Sequence, residues 1–132
     1  MEIRGGLEAL PKVVECIRKE GRPVVLLKGD LAAGKTTLVQ AFARKLGEEG
    51  VSSPTFSIQQ RYGEKIYHYD LYNAGSEKFF ELGLFEELFL PGWHFIEWPD
   101  ERLERFLKEA GLDFITIEIE PAGEERIYRC IV

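Results

Sequence analysis

Nine consecutive residues, Gly29-Asp30-Leu31-Ala32-Ala33-Gly34-Lys35-Thr36-Thr37, carry the densest chemical information in this 132-residue chain. Their GxxxxGK(S/T) spacing is that of a phosphate-binding loop, and it follows the apolar run Val24 to Leu27, which reads as a buried strand. Backbone N–H groups of Ala32 to Lys35 would converge on a β-phosphate at a helix N-terminus, where the helix dipole also favours negative charge. Lys35 adds a point charge between the β- and γ-phosphates, and the Thr36 hydroxyl is placed to ligate Mg²⁺. The expected ligands are therefore ATP and Mg²⁺, with Gly29 through Thr37 as the cradle and Lys35 as its catalytic cation.

In an open α/β sheet, ligands sit at the carboxyl ends of strands, so acids that terminate strands are the next residues to weigh. Asp70 closes Ile66-Tyr67-His68-Tyr69-Asp70, and Glu97 closes Trp93-His94-Phe95-Ile96-Glu97. A nucleotide-bound Mg²⁺ takes one or two carboxylates besides a hydroxyl, phosphate oxygens and water. Thr36, Asp70 and Glu97 supply that set, and one acid can instead polarise the attacking water. Sequence does not assign the two roles, and either acid read alone is also an ordinary strand end in a solvated loop. His68, two residues before Asp70, shares its face and reads as a hydrogen-bonding support rather than a zinc ligand. Trp98 either stacks on a base, covers the site or simply packs.

These residues need elements to hold them. Leu7, Leu10, Val14 and Ile17 recur at helical spacing, with Pro11 tolerable in the first turn and Gly21 as the stop. A second helix, Thr36 to Leu46, ends at Gly47. Thr55 to Tyr62 and Lys65 to Asp70 read as strands joined by a tight turn at Gly63-Glu64. Ser76 to Leu90 reads as one or two short helices broken near Gly83, with its phenylalanines and leucines as core. Trp93 to Trp98 is a short buried strand, and Pro99 opens a helix carrying Leu103, Phe106, Leu107 and Ala110. Ile115, Ile117 and Ile119 alternate with polar residues, and a turn at 121–124 leads into a final strand. The pattern predicts an α/β fold: a P-loop NTPase-like domain over residues 1–132, with a mixed, mostly parallel sheet, antiparallel hairpins and flanking helices.

Composition limits the partners. A net charge of −6, from 17 basic and 23 acidic residues, argues against nonspecific grip on nucleic acid, which depends on clustered cations. No apolar run approaches the roughly 18 residues that span a bilayer, and a cytoplasmic protein is expected. Cys16 and Cys130 lack metal-ligand spacing and read as core thiols.

The motifs extend past the loop. Gly29 to Thr37, then Ser53-Pro54-Thr55-Phe56, then Tyr67-His68-Tyr69-Asp70-Leu71-Tyr72, then Ile96-Glu97-Trp98-Pro99 occur in the order and spacing of the TsaE family, which the chain resembles over about residues 26–100. The resemblance implies a cytoplasmic, Mg-dependent ATPase that assists the TsaB and TsaD proteins in making threonylcarbamoyladenosine on transfer RNA. It further implies that Thr55 lies in a switch-like loop near the γ-phosphate. Two positions depart from the family pattern: Ala32 replaces a usual glycine, and Asn73 replaces a common arginine, whose cation Arg61, Arg102 or another residue would have to supply. The alternative enzyme class is a small P-loop kinase acting on a metabolite, although the basic residues are scattered rather than gathered into a lid. A GTP switch lacks its guanine-reading element, since Asn73 is the single asparagine.

Overall fold

The computed structural model describes residues 1–30, 33–48, 50, 58–73 and 75–132. Of the expected site residues, Leu31, Ala32 and Thr55 lie outside the described residues, as does the start of the strand expected from Thr55.

Among the described residues, seven strands form one sheet: β1 (Glu2–Gly5), β2 (Val24–Lys28), β3 (Gln59–Tyr62), β4 (Ile66–Asp70), β5 (Trp93–Glu97), β6 (Phe114–Ala122) and β7 (Glu125–Ile131), in the order β1-β7-β6-β2-β5-β4-β3. The four central strands β6, β2, β5 and β4 are mutually parallel, while β3, β7 and β1 join by antiparallel pairing. This is the mixed sheet with a parallel core that the alternation of buried strands and helices predicts. β2 sits in the middle, and Val24 to Leu27 are fully buried because helices cover both faces. Period-2 alternation divides the strand: Val25 and Leu27 pack with α1 (Leu10–Glu20) and α2 (Lys35–Lys45), while Val24 and Leu26 pack with α3 (Gly75–Glu81), a 3₁₀ segment (Leu84–Phe89) and α4 (Glu101–Glu109). Phe79, Leu84 and Leu88 are core as expected, but Phe89 is exposed.

Four boundaries differ from the sequence reading. Leu7 belongs to a 3₁₀ turn (Leu7–Ala9) that precedes α1; its tighter winding rotates Leu7 off the helix's apolar stripe and leaves it 73% exposed. The hairpin β3–β4 pairs Tyr62 with Ile66, so three residues connect it rather than two. Lys65 is drawn into that turn, where its carbonyl accepts from the Trp93 N–H at 2.7 Å. Pro99 does not open α4. Asp100 caps it instead, with its side chain accepting from the Leu103 N–H at 2.9 Å. Finally, β1 is an edge strand that the sequence reading lacked, because four residues with a single buried apolar side chain give no periodic signal. Among the described residues, no helix is long and apolar enough to cross a membrane.

Candidate functional site

The loop after β2 is shaped by two glycines. A β-carbon on Gly29 would lie 2.7 Å from the Ile119 carbonyl oxygen, so only glycine passes between β2 and β6. Gly34 has φ +103°, a conformation that side chains disfavour, and it delivers the chain into α2. No side chain among the described residues caps α2, so the N–H groups of its first turn remain available to an anion.

Lys35 begins α2 and is only 4% exposed. Its ammonium donates to the Gly29 carbonyl at 2.6 Å and lies 3.6 Å from the centroid of the Trp98 ring. Burial lowers the pKa of Lys35, opposed by the charges of Glu97, Asp70 and Asp30. Trp98 itself adopts φ +61°, unusual for so bulky a residue, and is held against Tyr72 with ring centroids 4.8 Å apart. Strain of this kind persists only where surrounding contacts overdetermine it, and it clusters at functional sites.

The parallel register aligns Leu27, Glu97 and Asp70 in one row across β2, β5 and β4. Glu97 is buried, and its Oε2 accepts from the Thr36 hydroxyl at 3.0 Å and from His68 Nε2 at 2.5 Å. Because an ionised carboxylate only accepts, the proton is assigned to Nε2 of His68. Its Nδ1 is buried with no hydrogen-bond partner among the described residues. Burial pushes the Glu97 carboxyl up, but the His68 and Thr36 hydrogen bonds and the Lys35 charge outweigh it and hold the group below the ordinary carboxylate range. A Thr36 hydroxyl whose proton is committed to Glu97 turns its lone pairs outward, which suits a hard cation. Asp70 is exposed and its Oδ1 accepts from the Tyr72 N–H at 3.0 Å. Both acids line one cavity of about 350 Å³ together with Lys35, Thr36, Trp98 and Arg126.

Arg126 is the residue of this site that the sequence reading missed. It comes from β7, and its Nε donates to the Ala33 carbonyl at 2.9 Å, tying the loop to a strand 93 positions further along the chain. No local pattern announces such a contact. Beyond Gly34 and Thr37, Arg126 also borders a second cavity of about 180 Å³, walled by Gly6 and Tyr128. Gly6 lines that second cavity, Arg4 pairs outward with Glu125 at 3.0 Å, and Trp98, for which base stacking is one expected role, sits at the acidic end instead.

Comparison with known proteins agrees with this architecture. Residues 6–129 match the family described as Threonylcarbamoyl adenosine biosynthesis protein TsaE. The chain belongs to the TsaE family. The tRNA threonylcarbamoyladenosine biosynthesis protein TsaE of Bacillus subtilis is 36% identical over 93% of this chain and 84% of its own length. That of Treponema pallidum is 42% identical over 81% and 78%. A crystal structure of Bacillus subtilis YdiB superposes on all of this chain and 85% of its own, with a TM-score of 0.67 at 29% identity. Of the two departures from the TsaE pattern, Ala32 lies outside the described residues. Asn73 is exposed in the turn after β4. Neither arginine considered as a substitute cation reaches the mouth in this TsaE-family chain: Arg61 bonds the Glu64 carbonyl and the Tyr67 hydroxyl, and Arg102 lies over the Phe80 ring. Arg126 is the arginine that lines it.

Proposed function

We propose that this chain is a Mg²⁺-dependent, ATP-binding and ATP-hydrolysing accessory factor for tRNA threonylcarbamoyladenosine formation, acting on the TsaB–TsaD assembly. The observation that carries the reading is the Thr36–Glu97 contact beside the Lys35 ammonium, which unites a loop hydroxyl, a strand-end carboxylate and a cradle cation in one small cavity. Lys35 exchanges its bond to the Gly29 carbonyl for phosphate oxygens when a triphosphate enters. Glu97 keeps the Thr36 hydroxyl turned outward, His68 keeps Glu97 in place, and Asp70 faces solvent where it can orient the attacking water. Thr36, backed by Glu97, and Asp70 are the side chains suited to hold Mg²⁺, which when bound neutralises charge developing on the phosphate oxygens. Gly34, Thr37 and Arg126 line both the acid-bearing cavity and the one between Gly6 and Tyr128, so the nucleoside end runs from the first toward the second, with Arg126 at the boundary.

Calorimetric titration with Mg-ATP, paired with phosphate release alone and with TsaB and TsaD, tests this. A charge-assisted contact is worth about 1.5–3 kcal/mol, so Lys35→Ala should weaken ATP roughly 10- to 100-fold and abolish partner-stimulated turnover. Absence of nucleotide binding by the natural protein, or turnover indifferent to Lys35→Ala, rejects the proposal.

A further inference from the structure

Another concavity is about twice the volume of the phosphate mouth. An open groove of about 720 Å³ runs between α1 and α2 on the outer surface of the helical layer. Its floor is apolar, formed by Leu10, Pro11, Val14 and Ala41, and the exposed Leu7 stands at one end. Lys12, Arg44 and Lys45 line its edges. None of the three forms an ion pair among the described residues, and the acid beside them, Glu15, is already paired with Arg18 at 3.3 Å. Three cations without an ion pair among the described residues, of which Lys12 feels a nearby acid in Glu8, stand out around an apolar trough on a chain of net charge −6.

We propose that this groove docks an acidic amphipathic helix of a partner protein. A trough between two packed helices suits apolar side chains spaced i, i+3/i+4, i+7, and glutamates flanking that stripe would meet Lys12, Arg44 and Lys45. Nucleic acid fits less well, because among the described residues no aromatic ring lines the groove to stack a base, and three cations release few counterions. A small molecule would stay largely uncovered in so open a trough, whereas ligand pockets bury most of their occupant. Thr37 lines the groove as well as the phosphate cradle, so an occupant touches the helix that carries the loop. The identity of the partner rests on the reading above, but the chemistry of the groove does not.

Two measurements on the full chain separate the two. Calorimetry with the TsaB–TsaD assembly compares the natural protein with Pro11→Glu/Lys12→Glu and with Arg44→Gln. The first pair places acids in the opening turn of α1, where the helix dipole favours them, so the fold is retained. At least tenfold weaker association, with ATP affinity and Tm unchanged, supports the proposal; unchanged association overturns it. Should the natural protein not bind the assembly, the partner assignment above fails, and the second measurement decides the groove. In it, fluorescence anisotropy compares a helical peptide with leucines at i, i+3/i+4, i+7 and glutamates elsewhere against its lysine counterpart. At least tenfold preference for the glutamate peptide, lost in Pro11→Glu/Lys12→Glu, upholds the groove. Equal binding, no binding, or displacement of the peptide by bulk tRNA overturns it.

Discussion

Glu97 concentrates most of the site's electrostatics in one carboxylate. Its Oε2 serves Thr36 and His68 together while the Lys35 charge also favours its ionised form, so removing the charge alters three neighbours at once. Glu97→Gln should lower turnover by about 10²–10³, the usual cost of losing one preorganised electrostatic contact, while Mg-free nucleotide still binds. His68→Ala should cost roughly 10- to 100-fold in turnover or Mg²⁺ affinity, as residues that orient a metal-holding group typically do. Stopped-flow phosphate release across a Mg²⁺ series reads both, and a His68→Ala protein with natural activity would remove histidine from the site. Lys35, Thr36, Asp70 and Glu97 were legible because each sits at a fixed offset from a strand end. Arg126 was not, because its hydrogen bond to Ala33 is made by folding two distant segments together.

At the level of elements, the segment between β5 and α4 shows how a cap fixes a site from outside. Trp98 turns the chain at φ +61°, and two residues later Asp100 holds both the Leu103 N–H and, at 2.6 Å, the Ser76 hydroxyl of α3. Asp100→Ala should therefore destabilise the protein by about 1–2 kcal/mol, from the lost cap and the orphaned serine together. A shifted urea midpoint at constant m would record it, and an unmoved midpoint would mean that the cap is idle. Helices with a full apolar stripe and a glycine stop, such as α2 ending before Gly47, were readable in the sequence. Elements set by partners were not: β1 exists because β7 offers it an edge, and the β3–β4 turn takes Lys65 because Trp93 needs a carbonyl there.

Across the whole molecule, acid should weaken the fold in two steps. His94 is buried, with Nε2 bonded to the Leu90 carbonyl at 2.9 Å and Nδ1 to the Tyr69 hydroxyl at 3.0 Å, one donor and one acceptor that satisfy the neutral ring. Burial lowers its pKa, only partly offset by the Leu90 bond, so the unfolded chain takes up a proton that the folded one refuses. A stability cost therefore appears as pH falls below the ordinary value of 6.5. Glu97, held low, contributes stability that is complete above 4.5 and is lost as pH drops through its folded value. Thermal melts from pH 8 to 4 should show Tm falling from about pH 6.5, and His94→Gln should remove that first decline. An unaltered profile in the variant would assign the acid sensitivity elsewhere. The sequence alone determined the glycine-bounded turn between β2 and α2, the two strand-end acids and the alternation of buried strands with amphipathic helices, because glycine conformation and hydrophobic period are properties of neighbouring residues. Tertiary structure alone decided that β2, β5 and β4 lie side by side, that Glu97 rather than Asp70 accepts the Thr36 hydrogen bond, and that Arg126 ties β7 to the loop at Ala33. Those facts depend on strand order and register, which are settled by burial across the entire sheet.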